Sequence, residues 1–170
     1  MKHITAITIL LGLLFINISY ASDQIPFGNQ VSSIKNYNRA TSQIATSGLI
    51  GDKGAELLAE HGFKTIIDLR TPAEGINKEK QAAETVALHY INIPVTGEGI
   101  NQKQLTAFRK AIENTAKPVI VHCASGNRAG AMWVAYRISQ GLAPEIAIEE
   151  GKAAGMKPEM EQKIRAAFVK

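Results

Sequence analysis

The sequence predicts an α/β domain: a central, mostly parallel sheet of four to five strands with helices on both faces. Three observations carry that expectation. Short apolar runs of β-formers, "KTIIDLR" and "KPVIVH", recur along the chain. Segments of helical period separate such runs, as in "NQKQLTAFRKAIEN", where Leu105, Phe108 and Ile112 share one face. The spacing between runs leaves room each time for one helix and tight turns, the pattern of parallel strands joined by crossovers.

Residues 1–21 read as a cleavable signal peptide. Lys2 and His3 form a basic start, Ile4 to Ile18 an apolar run, and Ser19-Tyr20-Ala21 places small residues before a cut after Ala21. The alternative is an uncleaved anchor, while the lack of a Cys near the cut speaks against a lipoprotein. A periplasmic or secreted protein is expected, with no membrane contact after cleavage. The remainder, about 149 residues, is the size of one domain. Residues 22–42 are polar and turn-rich, an extended lead-in, and residues 43–170 hold the domain.

Each element has a local reason. "QIATSGL" supplies a short strand. "GDKGAELLAEHGF" reads as a helix with Asp52 capping its start, Leu57, Leu58 and His61 at helical spacing, and Gly62 just past its end. His61 fits a last-turn position rather than a ligand. After "KTIIDLR", Thr71, Pro72 and Glu74 form the Thr-Pro-x-Glu arrangement that starts helices, here over "TPAEGINKEKQAAETVA". "LHYINIPV" is a strand stopped at Pro94. From Arg128 a helix runs to Gly141, and two short helices follow near 144–154 and 158–169, each with Pro at its start. Trp133, Tyr136 and Phe108 lie at helical spacing among apolar neighbours and are assigned to the core.

Charge narrows the function classes. Without Lys2 the chain carries 18 Lys and Arg against 15 Asp and Glu, scattered along its length. No basic run with interleaved aromatics supports nucleic-acid binding. A mildly basic surface suits an anionic small substrate, and a monomer is expected. Cys123 is the single cysteine, so an internal disulfide is impossible. An isolated thiol is more often a buried structural residue, yet its neighbours argue otherwise.

Those neighbours read "PVIVHCASGNRAGAMW", residues 118–133. A buried strand leads into Cys123, and the loop Ala124, Ser125, Gly126, Asn127 enters a helix at Arg128. Peptide N–H groups freed by such a turn converge on one point, and the helix N-terminus adds positive potential. Gly126 permits a backbone angle that a Cβ would hinder, and Arg128 offers a planar fork to an oxyanion. Such a cup fits a tetrahedral anion. A cysteine at a helix N-terminus beside a cation titrates well below an ordinary thiol, so Cys123 is expected to be a thiolate nucleophile. His122 is expected to order the loop by hydrogen bonding rather than to act as a base. The side chains of Ser125 and Asn127 either assist the anion or only stabilise the turn. In a parallel sheet the ligand crevice lies at the carboxyl ends of the strands. That places Asp68, the 94–100 loop and Cys123 on one edge.

"HCASGNRAG" resembles the signature loop of cysteine-dependent tyrosine and dual-specificity phosphatases. "TSGL", "GFKTIIDLR", "YINIPV", "PVIVHC" and "APEIAIEEGKAAGM" follow the same order over roughly residues 35–155. The chain is similar to the bacterial phosphatase-like group that includes the domain fused to β-lactamase-like hydrolases. The resemblance implies a protein tyrosine phosphatase-like fold and a phosphocysteine intermediate on Cys123. It implies an anion held by Arg128 and the loop amides, no metal or other cofactor, and a phosphorylated small molecule or phosphoprotein as substrate. An acid on a neighbouring loop would protonate the leaving oxygen.

Three departures qualify it. Four residues separate Cys123 from Arg128 where the phosphatase signature has five, a spacing more familiar in rhodanese-like sulfurtransferases, which "IIDLRTPAE" also resembles. Ala129 replaces the usual Ser or Thr after the arginine. The acid has two candidates. Glu98 occupies the loop where the family places its aspartate and is otherwise an exposed carboxylate. Asp68 ends a strand and is otherwise an ion-pair partner of Arg70 or Arg128. Sulfur transfer through a Cys123 persulfide, and a non-catalytic anion-binding or redox domain, are the competing readings.

Overall fold

The computed structural model describes residues 25, 26 and 28–169. The signal-peptide segment lies outside the described residues. Five short strands make one sheet: β1 (Asn38–Arg39), β2 (Ile44–Ser47), β3 (Thr65–Asp68), β4 (His89–Asn92) and β5 (Val119–His122). Their order is β1-β2-β5-β3-β4, with β1 antiparallel to β2 and every other pairing parallel. In register, Ser47, His122, Asp68 and Asn92 stand side by side. Four strands thus end on one edge, and the loops leaving them converge there.

Alternation along the strands builds two cores. Ala45, Ile66 and Ile120 face α1 (Gly54–Glu60) and α2 (Asn77–Thr85), packing with Ala55, Leu58 and Ala83. Ile67, Val119 and Val121 face α3 (Gln102–Asn114), α4 (Asn127–Ser139), α5 (Pro144–Ala153) and α6 (Pro158–Phe168). Every residue of α4 from Ala129 to Ala135 is buried, as expected of a helix enclosed on all sides. Gly130 is part of the reason it fits, because a Cβ there would come within 2.5 Å of the Gly151 carbonyl. Phe108 and Tyr136 meet edge to face at 5.6 Å, and Trp133 packs on Tyr136 while its Nε1 donates to Glu150 at 2.8 Å. These three are core residues, as their spacing predicts.

Two local expectations are corrected. Asp52 does not cap α1, whose N-cap is Lys53 with no side-chain bond. The Asp52 carboxylate instead pairs with Lys78 on α2 at 2.7 Å. The Thr71–Glu74 capping box does form, but it closes a single 3₁₀ turn, Pro72–Glu74, because Gly75 then turns left-handed and α2 begins only at Asn77. The lead-in is also more than an extended strap: Ile25, Val31 and Ile34 enter the core on the α1/α2 side, and β1 adds a strand. No helix among the described residues is long and apolar enough to cross a membrane.

Phe108 is fully buried between α3 and α4. Phe108→Ala is expected to cost about 3–5 kcal/mol of stability, measured by urea denaturation; a loss below about 1 kcal/mol would show that this face repacks freely.

Candidate active site

The last residue of β5 and the first turn of α4 set the site. Cys123 is fully buried at the strand end, and the Gly126 N–H donates to its Sγ at 3.2 Å. Gly126 has φ +90°, and a Cβ there would lie 2.6 Å from the Ala154 carbonyl, so glycine is required both by angle and by space. Among the described residues, no acceptor meets the N–H groups of Ala124, Ser125, Asn127 and Arg128. The Gly126 N–H is directed at the sulfur, and its neighbours in the loop keep their N–H groups available. The Asn127 side chain faces outward, accepting from the Lys157 N–H at 2.8 Å at the start of α6. It stabilises the turn.

Arg128 is fixed from two sides. Its Nη1 donates to Glu74 Oε2 at 2.8 Å and to the Val95 carbonyl at 2.9 Å, and its Nη2 donates to Glu74 Oε1 at 2.7 Å. A guanidinium has five N–H groups; these bonds use three and leave the Nε–H and one Nη2–H as a second fork. The Glu74 hydrogen bonds, aided by the nearby Cys123 sulfur, raise the proton affinity of Arg128 against partial burial. Conversely the Arg128 hydrogen bonds, with Thr71 assisting against some burial, pull Glu74 down to about 2. Glu74 therefore serves two ends, since its Oε2 also accepts from the Thr71 N–H at 2.8 Å in the capping box.

Asp68 lies elsewhere. It is fully buried on the α1/α2 face of the sheet and takes hydrogen bonds from Arg70 and from the Tyr90 hydroxyl. Burial opposes its ionisation, but the Arg70 bonds, His122 and Tyr90 outweigh that and hold it below the ordinary carboxylate range. Its oxygens are engaged by Arg70 and Tyr90, which matches the ion-pair reading with Arg70. His122, one residue before the thiol, points to the same opposite face by strand alternation. Its Nε2 lies 2.8 Å from Glu79 Oε1 and 3.6 Å from Asp68 Oδ1. The Glu79 contact is close without being a directed hydrogen bond, for neither atom has a well-aligned partner. The expectation that the His122 side chain orders the loop is thus corrected; its carbonyl, accepting from the Leu69 N–H at 2.9 Å, ties β5 to β3. Asp68, Glu79 and His122 are close enough to share a cation. Arg70 already bridges the two carboxylates at 2.7 and 2.8 Å, making this an internal ion-pair cluster.

Glu98 sits in the exposed loop between β4 and α3, and its carboxylate bonds to no described residue. The loop itself is anchored. Val95 is held by Arg128, the Gly97 carbonyl accepts from Lys163 on α6 at 2.6 Å, and Gln104 donates to the Pro94 carbonyl at 2.8 Å. The structure therefore gathers Cys123, Arg128 and the loop amides, places the Glu98 loop beside them, and removes Asp68 and the His122 ring to the far face. Sequence reading missed the second duty of Glu74; its place after β3, the strand beside β5, was the available sign.

Comparison with known proteins agrees with this geometry. Residues 25–167 match the sequence profile of the family described as DSP-PTPase phosphatase fused to NAD+ kinase, and the chain belongs to that family of tyrosine and dual-specificity-like phosphatase domains. A β-lactamase hydrolase-like protein of Xylella fastidiosa is 34% identical over 102 residues, which are 57% of this chain and 23% of that one. The chain thus spans about a quarter of the curated relatives it matches. Among solved structures, a DUF442 phosphatase structure from Shewanella putrefaciens superposes with TM-score 0.69 at 21% identity, over 84% of this chain and 99% of that one. TpbA from P. aeruginosa, solved in complex with pTyr, gives 0.64 at 20% identity over 89% and 91%. Both show the phosphatase fold.

Because Glu74 is depressed to about 2 in the folded chain, its contribution to stability is present above the ordinary glutamate range and lost as pH falls toward 2. Wild type is therefore expected to exceed Glu74→Gln in urea midpoint at pH 7, with the gap beginning to narrow below the ordinary glutamate range and closing only as pH approaches about 2. A gap that is constant with pH would show that the pair does not form.

Proposed function

We propose that this chain is an exported cysteine-dependent phosphatase that hydrolyses phosphate monoesters through a phosphocysteine on Cys123. The observation that carries the reading is the Gly126 N–H directed at Sγ beside loop N–H groups that have no acceptor among the described residues, with the remaining edge of Arg128 next to the Cys123 sulfur. A phosphoryl group over Cys123 has three oxygens needing donors, and the loop amides and the Nε/Nη2 edge supply them without a metal. Donors already in place where charge develops need no reorganisation during reaction. The thiolate attacks phosphorus, the alcohol oxygen leaves with a proton, and water then attacks the phosphocysteine to release phosphate and regenerate the thiolate. Glu98 is assigned as the carboxyl that gives that proton and takes one from the water: it is flanked by Gly97 and Gly99 in the loop whose Val95 carbonyl accepts from Arg128. Ala129 offers no hydroxyl to the departing thiolate, and the Gly126 N–H at 3.2 Å from Sγ stands in for part of that help.

The substrate class is a phosphorylated small molecule or phosphoprotein met outside the cytoplasm, the signal peptide being cut after Ala21, and the enzyme acts as a monomer. Sulfur transfer keeps one specific point in its favour, the four-residue spacing from Cys123 to Arg128. The test is hydrolysis of an aryl phosphate by reduced mature protein. Cys123→Ser is expected to abolish turnover with the fold intact, and Arg128→Ala to reduce kcat/KM by about 10²-fold or more. Glu98→Gln should remove the alkaline limb of the pH profile. Turnover retained in Cys123→Ser would sink the covalent mechanism, and thiocyanate formed from thiosulfate and cyanide in place of phosphate release would transfer the assignment to sulfur chemistry.

A further inference from the structure

A peptide group is planar and trans, so its N–H points opposite to its C=O. Whatever holds a carbonyl on the outside of the cysteine loop therefore aims the next N–H inward. Among the described residues, two such holds come from the segments before α1. The Leu49 N–H donates to the Ala124 carbonyl at 3.3 Å, which turns the Ser125 N–H toward the cup. The Asn36 Nδ2 donates to the Ser125 carbonyl at 2.8 Å, across 89 residues of sequence, and the Gly126 N–H of that same peptide points at Cys123 Sγ.

Asn36 comes from a firm platform. Ile34 is buried below it, the Lys35 N–H donates to the Leu49 carbonyl at 3.1 Å, and the Gly48 N–H donates to the Lys35 carbonyl at 2.7 Å. Gly48 in turn bridges to Ser125. Asn36 itself has φ +49°, a left-handed conformation that asparagine tolerates better than most residues. The chain thus holds an unfavourable backbone angle at the residue whose side-chain amide reaches the Ser125 carbonyl.

We propose that Asn36 is a positioning residue for the anion cup: by pinning the Ser125 carbonyl it sets the direction of the Gly126 N–H toward the Cys123 sulfur and the bound anion. The inference rests on the phosphatase reading for the identity of the anion, and on geometry alone for the orientation of the donor. Glycine at position 36 keeps the backbone angle and removes only the side-chain amide. Asn36→Asp keeps the size and the angle but sets a carboxylate against a carbonyl, so it reads the same bond if the glycine variant folds poorly.

The probes are tungstate, a tetrahedral oxyanion, measured by calorimetry, and the rate of Cys123 alkylation by iodoacetamide at pH 6. Both Asn36→Gly and Asn36→Asp are expected to bind tungstate about five- to tenfold more weakly than wild type, the scale of one ordinary hydrogen bond, and to alkylate several-fold more slowly. A role confined to stability would lower the melting temperature and leave both ratios at one in folded protein, and that result overturns the proposal. If wild type fails to bind tungstate, the phosphatase reading falls, while the ratio of alkylation rates still decides the orientation of the Gly126 N–H.

Discussion

The Arg128–Glu74 pair is the interaction on which the site depends, because it joins three loops that leave three different strands. Arg128 follows β5, Glu74 follows β3, and Val95, the second acceptor of Arg128, follows β4. A bidentate guanidinium–carboxylate pair has one preferred plane, so fixing Glu74 fixes which edge of Arg128 remains available. Glu74 is itself fixed by the capping box, through the Thr71 N–H and hydroxyl. The sequence Thr-Pro-x-Glu therefore does more than begin a turn: it holds an acidic clamp at the height of the cysteine loop.

Under the sheet edge lies a second network with a different task. Asp68, Glu79, Arg70, Tyr90 and His122 are packed together on the α1/α2 face. Isolated charges would not be tolerated there, since burying an unpaired carboxylate costs several kcal/mol. Arg70 answers this by bridging both carboxylates with one nitrogen. Asn92 adds to the brace, donating to the carbonyls of Asp68 and Arg70 at 2.8 and 2.9 Å. The strand ends that carry the loops of the candidate site are thereby tied to one another sideways as well as through the backbone ladder.

Much of this was legible in the residues and some was not. Strands β2 to β5, the amphipathic face of α3, the enclosed α4 and the capping box all follow from local periodicity and turn chemistry. The position of Cys123 and the need for Gly126 follow from the strand–loop–helix pattern around them. What escaped is what only three-dimensional pairing creates. Glu74 meets Arg128 across 54 residues and Asn36 meets Ser125 across 89, and neither carries a periodic mark. The His122 ring was misplaced for a simpler reason: alternation sends consecutive strand residues to opposite faces, and proximity to Cys123 in sequence outweighed that rule. Asp52 was misassigned as a cap because a carboxylate before a helix serves equally well as a partner for a lysine on the next one.

The arrangement also constrains how an acid can act. The Val95 carbonyl accepts from the same Nη1 that binds Glu74, so the loop bearing Glu98 is registered against the cysteine loop through Arg128, the residue proposed to receive the anion. Its far side is held by Lys163 on α6 through the Gly97 carbonyl. Movement confined to Glu98 and Gly99 leaves both anchors intact, and it changes the reach of one carboxylate without disturbing Arg128. A larger swing would strip Nη1 of an acceptor and leave a partly buried guanidinium N–H unsatisfied, at a cost of order 1–3 kcal/mol. The loop bearing Glu98 is thus tied down at two points, Val95 and Gly97.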